Sequence, residues 1–240
     1  MFCRKAIVAA THILLPCSLA TAQGARERAV HHMSDAFHRC ARQEVEIGHV
    51  LYHGMFHLLT DTLFSLDGQD KLRDQERMIT EADVVKLPYL QAAVKESMRL
   101  QPVAPLLLPH LVVEEGMEIG GYAVPKGAAI IFNSWSIMRD PATWERPEEF
   151  MPERFLGKTE LGMWGKEVKF IPLGTGRRLC PALPMVELLV PFMVASMLHA
   201  LEWRLPHGMP PDQVDVTERY TSNDILLMDV PLKVVPMVAT

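Results

Sequence analysis

The sequence lacks a dominant charge of one sign: 24 basic against 29 acidic residues leave a formal charge of −5 over 240 residues. That balance gives no basic footprint for nucleic acid. Cysteine is scarce too. Cys3, Cys17, Cys40 and Cys180 are scattered without the spacing of a disulfide framework. No CxxC pair is present to seat a structural zinc or a dithiol couple. The H-E-x-x-H pattern of hydrolytic zinc enzymes is absent as well. The first apolar run, residues 6–20, is broken by His12 and Pro16 and is too short to cross a bilayer. What is present is ample apolar matter, 49% of residues, enough for one or two domains with a real core. Of the 18 prolines, all but Pro16 fall from Pro88 onward, which points to a loop-rich C-terminal half.

Taken in order, Arg4 and Lys5, the run 6–20 and Ala20-Thr21-Ala22 read as a secretory signal with its cleavage site. Residues 25–45 follow a helical period through Ala29, Val30, Met33, Phe37 and Cys40. A second helix is expected over 47–66, with Val50, Leu51, Leu58 and Leu59 on its apolar side. It sets His49, His53 and His57 along one face, where two imidazoles could chelate zinc or copper. Solvated or packed histidines are the default reading of such a row, and a secreted protein with a metal-binding histidine helix is its functional alternative.

A polar linker over 67–77 precedes Thr80-Glu-Ala-Asp83, which has N-cap character and opens a short helix. Pro88 suits the first turn of the next helix. Over 89–100, Leu90, Ala93, Val94 and Ser97 are expected to face inward. Glu96 and Arg99 share a face at i, i+3, an exposed pairing worth only about 0.3 kcal/mol. Beyond lie an extended apolar stretch over 105–113, a glycine-turn hairpin over 118–127 and a buried strand over 128–133. Residues 185–201 read as a buried helix kinked at Pro191. A turn over 203–211 and a final hairpin over 220–235, its tip near Ser222 and Asn223, close the chain.

The stretch that organises the rest is Phe170-Ile-Pro-Leu-Gly-Thr-Gly-Arg-Arg-Leu-Cys180-Pro-Ala. Pro172, Gly174 and Gly176 allow a tight, irregular backbone. Arg177 and Arg178 place two cations near Cys180, a setting suited to a thiolate metal ligand or nucleophile.

This loop resembles the haem-binding signature of the cytochrome P-450 family. Two further stretches resemble that family in the right order: Glu96-Ser-Met-Arg99 its E-x-x-R helix, and Pro152-Glu-Arg154-Phe155 its later P-E-R-F turn. The resemblance implies a mainly α fold with small β-sheets (α+β), a partial form of the family's fold. It also implies Cys180 as axial ligand of the iron of haem b, and Arg178 and His110 as propionate partners. Gly174 and Gly176 become backbone hinges. Glu96, Arg99 and Arg154 become a buried supporting network. The first residues resemble the family's helix C, in which Arg4 would hold a propionate, and this truncated-helix reading is preferred to the secretory one. Two places depart from the pattern: Leu173 stands where an aromatic is usual, and Ala182 where glycine is usual. An alanine there would crowd the turn if a positive φ were needed.

The implied organisation is a helical segment over 1–66, a junction over 67–79 and a haem-binding part over 80–240. The family's central oxygen-activating helix has no counterpart between Leu66 and Thr80, so the expected protein is a truncated, internally deleted member. The resemblance is to plant monooxygenases acting on terpenoids and other secondary metabolites. It implies an NADPH-dependent reductase as partner, a small apolar substrate, and the endoplasmic reticulum membrane surface as location, although no anchor is expected in this chain. A non-catalytic haem-binding remnant is the competing reading.

Overall fold

A computed structural model describes residues 16–64, 79–157, 168–221 and 225–238. Arg4, the residue 67–77 linker and the Ser222–Asn223 tip therefore lie outside the described residues, as does the side chain of His57. The architecture is helical with small antiparallel sheets, the mainly α class expected. The chain divides into two compact units: Met1–Val94 with Pro181–Glu218 and Met228–Thr240, and Lys95–Cys180 with Arg219–Leu227.

In the first unit, a short helix α1 (Pro16–Thr21) leads into α2 (Gln23–Arg39). The periodic residues Ala29, Val30, Met33 and Phe37 are all buried. They pack with Leu58 of α3 (Ile47–Phe64) and with Met185, Leu189, Phe192 and Ala195 of α7 (Leu183–Ala200). Gly54 allows α2 and α3 to approach closely: a Cβ there would stand 3.3 Å from Cβ of Met33. The α7 helix runs through Pro191 as a single element. It is long and apolar enough to cross a membrane, yet it places Leu189 and Phe192 in this core. A three-stranded sheet β1–β9–β6 borders the helices. Its strands are Val45–Glu46, Lys233–Val238 and Leu201–Arg204. The turn expected over 203–211 thus begins as a strand. The last residues pair with β6 and β1 instead of closing a hairpin, and the hairpin is β7 (Glu218–Tyr220) with β8 (Leu226–Met228).

An ion pair lies inside this unit. Arg26, 2% exposed, donates from Nε to Glu81 Oε1 at 2.6 Å and from Nη1 to the Leu19 carbonyl at 2.6 Å. Glu81 opens α4 (Glu81–Val84), whose start is capped as the sequence predicts. The Asp83 carboxylate accepts from the Thr80 hydroxyl at 2.8 Å and from the Thr80 amide at 3.2 Å. The Thr80 hydroxyl, then its amide, hold the Asp83 carboxyl down at about 2. Because the folded value is depressed, this cap stabilises fully above the ordinary carboxylate range and is lost as pH falls toward about 2. Thr80→Ala is therefore expected to move the Asp83 titration midpoint upward, read by NMR of its carboxyl carbon. An unmoved midpoint would show that the hydroxyl is not its partner.

The helix α5 (Pro88–Leu100) supplies the second unit from Lys95 onward. Its buried residues are Ala92, Val94, Glu96 and Arg99, while Ser97 is exposed. The inward face thus carries the charged pair, a register that apolar periodicity alone misplaces. Strand β2 (His110–Leu111) pairs with β5 (Ala129–Ile130), and the ladder is extended by a bridge between Leu106 and Asn133. Ile131 and Phe132 are 53% and 41% exposed, so the strand expected to be buried over 128–133 is neither as long nor as covered. The hairpin β3 (Met117–Ile119) to β4 (Tyr122–Val124) turns at Gly120 and Gly121. Both have positive φ, +58° and +85°, as a two-residue type I′ turn requires. A short helix α6 (Ser134–Ile137) follows, capped by the Asn133 side chain accepting from the Ser136 amide at 2.9 Å.

Candidate functional site

The site is assembled within the second unit from three separated stretches. The first is the end of α5. Its i, i+3 spacing lets Arg99 grip Glu96 with two parallel bonds, Nε to Oε2 at 2.8 Å and Nη2 to Oε1 at 2.9 Å. Both side chains are fully buried, 0% exposed. A bare buried pair would be costly, since each ion loses its water. Here the remaining groups are met. Arg99 Nη1 donates to the Met138 carbonyl at 2.8 Å, and Nη2 also reaches the Glu149 carbonyl at 3.3 Å. Glu96 Oε1 accepts in addition from the Met151 amide at 2.9 Å.

The second stretch is the 3₁₀ turn Pro152–Phe155, with proline at its start. Arg154 donates from Nε to Glu96 Oε1 at 3.1 Å. Its outer nitrogens bond the carbonyls of Glu145 and Arg146. The three residues read from the sequence as a network are thus brought together.

The sequence did not single out the aromatic floor of this network. Trp144 is 3% exposed and lies under the Arg99 guanidinium, 5.1 Å from its carbon to the ring centroid. Trp144 packs on Phe155 at 6.0 Å, and Phe155 on Phe170 at 4.9 Å. Arg139 was also passed over; it donates to the Leu100 carbonyl at the end of α5 and stacks 4.3 Å from the Trp135 ring. The available signal was the aromatic content of the Pro- and Arg-rich stretch over 135–155, Trp135, Trp144 and Phe155, in a sequence only 7% aromatic.

The third stretch is the cysteine loop itself. Phe170 and Ile171 are buried and anchor its start. The chain then turns tightly: the Gly174 amide donates to the Ile171 carbonyl at 3.0 Å, and the Cys180 amide to the Leu173 carbonyl at 3.0 Å. Gly174 and Gly176 have φ of +82° and +62°, so both need their freedom. A 3₁₀ turn, Gly176–Arg178, exposes both arginines and ends at a half-buried Cys180 with a free thiol. Leu173, in the place of the usual aromatic, is half-buried. Ala182 has φ −83°, so alanine in place of the usual glycine crowds nothing. Gly174→Ala is expected to cost about 1–2 kcal/mol from the left-handed backbone, whereas Ala182→Gly gains no relief. Unfolding midpoints of the two variants check this, and an unchanged Gly174→Ala would show that the loop does not hold this turn.

His110 is not tied into the network. It is half-buried on β2, opposite Ile130, edge-to-face with the Phe132 ring at 5.3 Å between centroids. His49 and His53 lie in the first unit, on the exposed face of α3, with Nε2 atoms 3.3 Å apart.

The cytochrome P-450 family model matches residues 66–234. Over 170 residues the chain is 56% identical to ent-cassadiene C11-alpha-hydroxylase 1 of Oryza sativa subsp. japonica, covering 70% of this chain and 33% of that protein. Over 144 residues it is 44% identical to geraniol 8-hydroxylase of Swertia mussotii, covering 60% and 29%. Among solved structures, a zebra fish cytochrome P-450 with abiraterone superposes with a TM-score of 0.58 at 29% identity, over 69% of this chain and 37% of that one. The chain spans about a third of the length of these relatives.

Proposed function

Because this chain belongs to the cytochrome P-450 family, we propose that it carries the haem-thiolate half of a plant-type monooxygenase, with Cys180 as the axial ligand of haem b. The observation that carries this reading is a free, half-buried thiol at the end of a glycine-hinged loop, with two exposed guanidinium groups in the turn before it. That donor set fits haem. One soft sulfur ligand suits iron, and cations suit carboxylate side arms. Arg178 is the propionate partner to which the sequence points first, with His110 and Arg4 as further candidates. The Glu96–Arg99–Arg154 network acts at one remove, holding the aromatic floor on which Phe170 and the loop rest.

Held by the Cys180 thiolate, haem would supply the oxygen-activating chemistry, in which one atom of O2 would enter the substrate and the other would leave as water with two electrons from an NADPH-dependent reductase and two protons. This chain's own residues fix the sulfur, hold the loop against the core and neutralise the carboxylates. The substrate class we propose is a small apolar molecule, a terpenoid or other plant secondary metabolite. Relatives named for hydroxylating geraniol and ent-cassadiene favour it, and the endoplasmic reticulum surface is the proposed location.

A second reading rests on the short junction: only residues 65–79 separate the end of α3 at Phe64 from the cap at Thr80. The acid–threonine motif of the oxygen-activating helix, which the family resemblance calls for, has no counterpart in that stretch of sequence. The alternative reading is a non-catalytic haem-binding remnant. Two measurements separate the readings. The full chain, supplied with haem, reduced and exposed to carbon monoxide, should show the band of a thiolate-ligated iron; its absence from folded protein sinks both. Product formation with a reductase and an apolar substrate then supports the monooxygenase, and a band without turnover supports the remnant.

A further inference from the structure

We propose that His49 and His53 form a chelating site for a divalent transition cation, zinc, nickel or copper, on the exposed face of α3. The site is independent of the haem reading. The two imidazoles stand one turn apart, and their Nε2 atoms lie 3.3 Å from each other. Two nitrogens bound at 2.0–2.1 Å to one tetrahedral ion are separated by about 3.3 Å. The resting geometry therefore already has the ligand–ligand spacing of a chelate. The rings approach to 4.5 Å between centroids at 64°, edge to face, and Tyr52 packs edge-on against His53 at 6.1 Å.

The scaffold is equally fixed. On its other side, α3 places Leu58 in the core and abuts Met33 at Gly54. Both histidines are exposed, so the remaining coordination positions open to water. Imidazole pairs favour zinc, nickel and copper and give magnesium or calcium nothing to prefer. The 3.3 Å contact is a hydrogen bond in which one Nε2–H donates to the other Nε2, and a cation would take the place of that shared proton between the same two nitrogens. The free thiols at Cys40 and Cys180 are the competing soft ligands among the described residues.

The test is zinc titration of the full-length chain by calorimetry, with magnesium as the comparison. Expected is one equivalent of zinc bound in the wild type and in a Cys40→Ala/Cys180→Ala chain, with no response to magnesium. Either His49→Ala or His53→Ala should weaken zinc binding by about tenfold or more, as loss of one of two ligands must. Unchanged uptake in the His49→Ala/His53→Ala chain would overturn the site. So would uptake lost in the cysteine variant, which assigns the metal to the thiols. Because both side chains are exposed, the histidine variants should keep the wild-type unfolding midpoint in the absence of metal.

Discussion

Supplied with haem, reduced and treated with carbon monoxide, a Cys180→Ala chain is expected to show none of the thiolate-ligated band expected of the wild type, while its unfolding midpoint barely moves. The two halves of that expectation come from different physical quantities. The ligand bond depends on one sulfur. Alanine offers no donor, so the loss should be complete and not graded. Stability depends on burial, and the Cys180 side chain is only half-buried. Its truncation belongs with partly exposed changes that cost within about 0.5 kcal/mol. The backbone bonds that shape the loop, from the amides of Gly174 and Cys180 to the carbonyls of Ile171 and Leu173, do not use the thiol. An unfolded variant would thus be a surprise, and it would leave the ligand question to Cys180→Ser, which keeps the size. Cys40→Ala should keep the band, because Cys40 caps the C-terminal end of α2 in the first unit. A band that survives Cys180→Ala would overturn the assignment of the ligand.

The parts of this fold legible in the sequence were those in which local chemistry and tertiary packing agree. The α2 stripe Ala29, Val30, Met33 and Phe37 recurs at helical spacing and is buried as a unit. The Thr80–Asp83 cap and Pro88 open their helices where the residues predict. Gly120–Gly121 makes its turn because only glycine adopts two positive φ values in a row without strain. Hydrophobic periodicity alone failed where non-local contacts decide, and it was the family resemblance that pointed to a buried Glu96–Arg99–Arg154 network. The inward face of α5 holds Glu96 and Arg99, which no hydrophobicity pattern would bury; only partners from 39 to 58 residues away in sequence make that burial affordable. The same holds for β9, which leaves its sequence neighbour β8 to pair with β6 and β1. Similarly, Ile131 and Phe132 look like core residues on composition, yet they stand exposed. At Ala182 a departure from the family pattern raised the question of strain, and its φ of −83° answers it.

Glu96→Ala is expected to be the most destabilising single change in the second unit, by about 3–5 kcal/mol. Against a total stability on the order of 5–15 kcal/mol, that is enough to unfold much of the population. The pair cannot be treated as a surface i, i+3 bridge, because both side chains are 0% exposed. Removing the carboxylate strands the Arg99 guanidinium in the interior and takes the Arg154 partner with it. Arg99→Ala should cost less, since Glu96 still has Arg154 and the Met151 amide. The cavity left above Trp144 and the freed Met138 carbonyl keep the cost substantial, while the Glu149 carbonyl still accepts from Arg154 Nη2 at 3.4 Å. The doubly substituted chain Glu96→Met/Arg99→Met tests whether charge or shape is at stake. Buried ion pairs replaced by apolar groups of similar volume are often neutral, so this variant should recover most of the stability lost in Glu96→Ala. Denaturant midpoints of the wild type, Glu96→Ala, Arg99→Ala and Glu96→Ala/Arg99→Ala give the coupling, and costs that simply add would refute a shared network. Haem uptake supplies a second readout. The floor Trp144–Phe155–Phe170 links Arg99 to the cysteine loop by ring contacts. If the network positions that loop, uptake should follow the state of the floor rather than total stability. Glu96→Met/Arg99→Met would then fold yet still bind haem less tightly than the wild type, whereas a purely structural role predicts uptake restored in step with folding.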